Sequence, residues 1–160
     1  MPQLESTFLS VLPVPPAVLW RHATTFTGIN GEFFPLLRMT TPEGVSAIDP
    51  DSIVLGQRIF RSWLLLGGVL PVEYDDLVVV EIEPGRRFLE RSSMLTSKVW
   101  EHERTVEDLG SGMSRLTDRV AFEPRVPWLG PLMAPVVGLL FRYRHRRLAA
   151  RYRRHQFVGE

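Results

Sequence analysis

The chain has 160 residues, 44% hydrophobic and 23% charged, with a net charge of +1. That is the size and composition of one globular domain, which needs no disulfide or metal staple to bury a core. Zero cysteines exclude disulfide scaffolds, Cys-type zinc sites, iron–sulfur clusters and thiol catalysis, and the even charge balance excludes a global field that recruits nucleic acid or membrane.

The first predicted element is a strand, Leu4 to Val14, stopped by Pro13, Pro15 and Pro16. Pro16 then opens a short helix that runs on to Ala23. The stretch Thr24 to Leu37 holds Gly28, Asn30-Gly31 and Pro35, and has room for a second short helix. From there to Pro124 the period is two. Strands are predicted at Arg38–Ile48, Leu55–Leu66, Val72–Glu83, Arg86–Met94, Lys98–Glu107 and Met113–Glu123. Asp49-Pro50-Asp51, Gly67-Gly68, Pro84-Gly85 and Gly110-Ser111-Gly112 separate them. Hairpin-length links make this an antiparallel meander, because parallel strands need long crossovers.

After Pro127, Gly130 and Pro131 the period becomes helical. Met133, Val136, Val137, Leu140, Arg144, Leu148 and Tyr152 share a stripe, which predicts a long helix from Leu132 to His155. The class is therefore α+β: a curved seven-stranded antiparallel sheet wrapped around a C-terminal helix, with two short helices after the first strand. Residues 1–160 read as a single domain. The apolar stretch Pro131 to Phe141 is too short to span a bilayer. Glu5 stands where a secretory leader wants positive charge, so a cytoplasmic protein is expected.

This element order resembles the helix-grip fold of the START, birch-pollen-allergen and polyketide-cyclase superfamily (SRPBCC). Local strings are similar to its bacterial branch: Trp20-Arg21-His22, Phe33-Phe34-Pro35-Leu36, Val80-Glu81-Ile82-Glu83-Pro84-Gly85, Trp100-Glu101-His102-Glu103-Arg104, Leu116-Thr117-Asp118-Arg119-Val120 and the segment Phe141 to Leu148. The resemblance implies a hydrophobic cavity between sheet and helix. It also implies a ligand such as a lipid, sterol, polyketide or quinone, and in some members cyclisation or dehydration. It carries no shared catalytic signature, and a fold does not fix a function.

Side-chain alternation places the polar residues. In Lys98–Glu107, Val99, Glu101, Glu103, Thr105 and Glu107 form an acidic, wet face, while Trp100, His102, Arg104 and Val106 look inward. In the next strand Leu116, Asp118, Val120 and Phe122 look inward. Asp118 then lies across from His102 or Arg104, or diagonal to one of them. Glu90 falls near His102. Arg144 interrupts the helix stripe between Leu140 and Leu148, and is expected to pair with Asp118 or Glu90.

Two uses of this cluster stay open. It is either a buried ion-pair network pinning helix to sheet, or a polar anchor at the floor of an apolar pocket. In the second case Arg104 or Arg144 holds a ligand carbonyl or carboxylate, with His102 and Asp118 as acid–base candidates. The candidate pocket wall comprises Trp100, His102, Arg104, Asp118, Val120, Phe122, Glu90, Leu140, Arg144 and Leu148. Phe33 and Phe34 join it from an aromatic cluster that either closes the pocket or plugs the core. The run Trp63 to Leu66 before Gly67-Gly68 is either a buried strand end or a cavity mouth.

Arg142 to Arg154 contains seven arginines and no acid, leaving 12 basic and 18 acidic residues elsewhere. This is a solvated helix face, or a surface making weak contact with acidic partners. The histidines His22, His102, His145 and His155 show no metal-ligand spacing, and His145 and His155 are expected at the surface. No nucleophile elbow or dinucleotide motif occurs, so no metal or cofactor is expected. The leading expectation is a binder or carrier of a small hydrophobic molecule. The alternatives are a cyclase or dehydratase using His102 and Asp118, and a regulatory module docking partners through the arginine-rich helix.

Overall fold

The computed structural model describes residues 3–157, with side chains as far as Arg153. The expectations for Arg154 and His155 lie outside the described side chains. Strand β1 (Leu4–Leu12) leads into α1 (Pro16–Thr24) and α2 (Phe26–Phe33). The remaining strands are β2 (Leu37–Met39), β3 (Arg58–Leu66), β4 (Leu70–Glu83), β5 (Arg87–Met94), β6 (Ser97–Gly110) and β7 (Met113–Pro124). A short 3-10 turn, Pro127–Leu129, precedes helix α3 (Gly130–Phe157). The seven strands form one antiparallel sheet in the order β1-β7-β6-β5-β4-β3-β2. No helix among the described residues is long and apolar enough to cross a membrane.

Register irregularities interrupt the ladders β3–β4, β4–β5 and β6–β7. Each adds local twist, so the sheet curls around one side of α3. The concave face and α3 meet in three apolar clusters. One gathers Phe26, Ile29, Phe33, Phe60, Leu77 and Phe88 beneath α2. A second joins Leu12, Leu19, Leu116, Leu148 and Tyr152. The third joins Met94, Trp100, Phe122, Val137 and Phe141.

The long strand expected at Arg38–Ile48 shrinks to Leu37–Met39. Pro42 lacks a ladder donor, and Gly44 turns the chain at a φ of 81°. The rest is a loop that crosses the α1–α2 junction. Its Ser46 carbonyl accepts from the Phe26 amide at 2.9 Å, and its Ile48 amide donates to the Thr24 carbonyl at 2.8 Å.

The buried stripe of α3 is also rotated from the expected one. Val137, Phe141, Arg144, His145, Leu148 and Tyr152 are buried, whereas Val136 is exposed. His145 is therefore an interior residue, correcting its expected surface position. The arginines Arg142, Arg146, Arg147, Arg151 and Arg153 are exposed on the opposite face. The acidic outer face of β6 is matched by arginines of its neighbouring strands: Arg87 with Glu103 at 2.6 Å and Arg115 with Glu107 at 3.1 Å.

Candidate functional site

Arg104, on the inner face of β6, stands directly opposite Asp118 of β7. Its Nε donates to Asp118 Oδ1 at 2.7 Å and its Nη2 to Asp118 Oδ2 at 2.9 Å. The other edge of the guanidinium clasps Glu32 of α2, at 2.9 and 2.7 Å. One fully buried arginine thus bridges two fully buried carboxylates. The planar fork makes this double clasp possible; an ammonium has no such geometry.

Further bases close the network. His102 Nε2 lies 2.7 Å from Asp118 Oδ1, and His145 Nε2 lies 2.8 Å from Asp118 Oδ2. With an ionised carboxylate as acceptor, both nitrogens carry hydrogen. The other ring nitrogen of His145 meets the Ser10 hydroxyl at 2.6 Å. Arg144 donates from Nε to Glu32 Oε1 at 3.2 Å, and His22 approaches Glu32 at 3.5 Å. Arg144 therefore pairs with Glu32, correcting the expected pairing with Asp118 or Glu90. Its guanidinium also lies over the Phe33 and Phe141 rings, 4.5 and 4.8 Å from their centres.

The electrostatics follow from this geometry. Burial opposes ionisation of Asp118, but the charge and hydrogen bonds of Arg104, joined by His102 and His145, hold its pKa well below the usual range. Burial opposes ionisation of Glu32 as well, and Arg104 and Arg144 overcome it. Burial lowers the pKa of Arg144, whose position near Arg104 adds to that.

A cavity of about 580 Å³ lies between this network, the inner sheet face and α3. Of the candidate wall residues, Trp100, His102, Glu90, Leu140, Arg144 and Phe33 line it. Arg104, Asp118, Val120, Phe122 and Leu148 are buried away from it, and Phe34 is 62% exposed. Leu66 and Val72 of the β3–β4 hairpin and Leu132, Val136 and Leu139 of α3 line it while remaining exposed, so they form an apolar rim.

On the cavity wall Glu90 faces His102 across β5–β6. His102 Nδ1 is 3.7 Å from Glu90 Oε2, and Ser92 donates to Glu90 Oε1 at 2.8 Å. Asp75 of β4 is buried beside this pair and lines the cavity too. Burial and the neighbouring Glu90, through its charge and a side-chain hydrogen bond, raise its pKa well above the usual range. Glu90 shifts the other way. Burial opposes its charge, and its contacts with His102 and Asp75 outweigh burial.

Glu32, Asp75 and the interior role of His145 escaped the sequence reading. Glu32 had one signal, an acid beside Phe33 in an aromatic cluster. Asp75 shares strand parity with the inward Leu77 and Val79, and His145 sits one turn after Phe141. Among the described residues no group of three or more His, Cys, Asp or Glu side chains is placed to hold a metal ion.

A curled antiparallel sheet gripping a long C-terminal helix over an apolar cavity is an SRPBCC-like helix-grip fold. A START superfamily protein from Mycobacterium smegmatis superposes with a TM-score of 0.68 at 12% identity, covering 94% of this chain and 97% of that one. The Zhui aromatase/cyclase from Streptomyces gives 0.60 at 10% identity, with 96% and 95% covered. Ara h 8.0201 gives 0.61 at 14% identity, with 94% and 98% covered. These likenesses concern the fold. No curated protein matches the sequence. The chain belongs to the DUF8410 family, a domain of unknown function, whose model matches residues 10–152.

Proposed function

We propose that this protein binds a small hydrophobic molecule in the cavity between the sheet and α3. The observation that carries the reading is the cavity itself. About 580 Å³ lined chiefly by apolar side chains, with a few polar groups such as Glu90, His102 and Arg144 on the wall, is the size and make-up of a small-molecule site. Apolar contacts with Trp100, Phe33 and Leu140 supply most of the affinity, and the exposed rim of Leu66, Val72, Val136 and Leu139 gives an apolar ligand a way in. The START and allergen-like neighbours support the same reading at the level of the fold. A cytoplasmic setting belongs to this reading as an expectation.

Native mass spectrometry of the purified protein, with titration of the neutral fluorescent probe N-phenylnaphthylamine, tests it. Retained ligand or saturable probe uptake is the expected result. A protein that retains nothing and takes up no apolar probe rules the reading out.

A second reading, a cyclase or dehydratase, draws on one observation: His102 contacts Asp118 and also lines the cavity. Its Nε2 is committed to Asp118, so a proton reaches the cavity through Nδ1 and Glu90. Under this reading His102→Gln abolishes turnover of a polyketide-type ketone while leaving its binding intact. Equal turnover by the variant counts against it.

A further inference from the structure

Three stretches without a charged residue meet around the opening of the cavity: Phe33 to Leu37, Leu64 to Val72 and Val126 to Phe141. Leu36, Leu66, Val72, Leu132, Val136 and Leu139 line the cavity and are nevertheless exposed. The patch continues beyond the cavity wall. Val69, at the tip of the β3–β4 hairpin, is 81% exposed, and Phe34 is exposed beside Leu36. Large apolar side chains exposed in one place mark an interaction surface, whereas singly scattered ones do not.

The border of this patch is basic. On α3 the exposed apolar face of Leu132, Val136 and Leu139 runs on at helical spacing into Arg146. Arg147 donates to the Gly31 carbonyl at 3.2 Å, and its guanidinium lies 5.8 Å from the centre of the Phe34 ring. At the hairpin Arg38 donates to the Gly68 carbonyl at 3.4 Å. Arg38, Arg146 and Arg147 are exposed and make no ion pair among the described residues, whereas Arg87, Arg115 and Arg119 on the outer sheet face are all paired. Glu73, beside Val72, is held by the Leu95 amide and the Thr96 hydroxyl.

We propose that this rim docks on a lipid bilayer carrying anionic phospholipids, with the apolar side chains entering the interface and Arg38, Arg146 and Arg147 meeting the phosphates. Charge complementarity around an apolar centre carries the assignment. An interfacial anchor needs side chains that leave water and cations at their edge, and both are present here. The overall charge of +1 sets no global field, yet this edge is locally basic. Docked this way, the cavity opens toward an apolar phase instead of water. The surface stands whether or not the cavity holds a ligand.

Flotation with vesicles of phosphatidylcholine alone, or of equal parts phosphatidylcholine and phosphatidylserine, tests the assignment. Binding to the mixed vesicles is expected to be about tenfold or more tighter, and to fall as salt rises. Val69→Glu, and the pair Arg146→Gln with Arg147→Gln, should each lower it about tenfold or more. Arg115→Gln, the same kind of charge change on the outer sheet face, should leave it unchanged. Far-ultraviolet circular dichroism confirms that each variant is folded. No vesicle binding, equal binding to both vesicle types, or binding that survives these rim variants overturns the proposal. So does a dimer in light scattering that Val69→Glu dissolves while vesicles are ignored, because the patch then joins copies of the chain. Uptake of N-phenylnaphthylamine, measured without vesicles, separates the two readings. Probe uptake without vesicle binding removes docking alone, and vesicle binding without probe uptake supports docking while removing the ligand reading.

Discussion

Arg104 and Asp118 face each other across β6 and β7, joined by two parallel hydrogen bonds of 2.7 and 2.9 Å, and neither is open to solvent. Everything else in the buried network attaches to this pair. Glu32 brings α2 to it, His145 brings α3, and His102 links it to the cavity. The pair is therefore the point where sheet and helices are pinned together.

Replacing Arg104 should be severe. Arg104→Met leaves Asp118 and Glu32 buried without their main counter-charge, at a cost of about 3–5 kcal/mol. The exposed pair of Arg115 and Glu107 is the control, and Arg115→Ala should cost less than about 1 kcal/mol. Urea denaturation at neutral pH measures both. A loss for Arg104→Met no larger than the control would remove the network from the account of stability.

The acids divide by sign in their pH dependence. Asp118 and Glu32 have folded pKa values below their unfolded ones, so their contribution is complete above about pH 4 and is lost as pH falls below that. Asp75 has a raised folded pKa. Its unfolded form releases a proton near pH 4 while the folded form keeps it, so Asp75 lowers stability as pH rises above about 4. Asp75→Asn should thus raise the urea midpoint at neutral pH and lose that advantage below about pH 4. A midpoint difference that is flat between pH 3 and pH 8 contradicts the raised pKa of Asp75.

Gly28 sets the distance between α1 and α2. A Cβ there would stand 2.1 Å from the His22 carbonyl oxygen, which is backbone and cannot swing aside. Gly28→Ala should force the helices apart and cost about 1–3 kcal/mol. Glu32 lies one turn further along α2, so the same change should weaken its clasp on Arg104. Thermal denaturation reads the first effect. A shallower pH dependence of stability in the acid range reads the second.

Leu140 is half-buried on the cavity wall, between the rim and Arg144. Leu140→Trp should fill part of the space and lower N-phenylnaphthylamine affinity by about tenfold or more, while far-ultraviolet circular dichroism stays unchanged. Phe141→Ala acts on stability instead. That ring is 1% exposed and packs against Phe8 and Trp100, so its loss should cost about 3–5 kcal/mol. If Leu140→Trp binds the probe as the wild type does, the probe sits elsewhere.

The period-two pattern of β6 and β7 was enough to turn Trp100, His102, Arg104 and Asp118 to the same concave face, and to bring Glu90 beside His102. The breakers Gly67-Gly68, Pro84-Gly85 and Gly110 to Gly112 were enough to order the hairpins. Strand alternation is a local property, so it survives in the sequence. The long strand expected after Leu37 ends at Met39 for an equally local reason, because Pro42 and Gly44 break the ladder despite the alternation around them.

Only the tertiary structure decided which charges meet. Glu32 and Arg104 are 72 positions apart, and Asp118 and His145 are 27 apart. No periodicity relates residues on different elements. Their pairing depends on how far α2 and α3 rotate as they settle into the sheet, and that rotation is set by the shapes of Phe33, Phe141 and Leu148. A slight rotation of α3 kept Val137, Arg144, Leu148 and Tyr152 in the core but put Phe141 and His145 there in place of Val136. The same closure buried Asp75 beside Glu90 on the cavity wall, a fact about space that one-dimensional spacing does not contain.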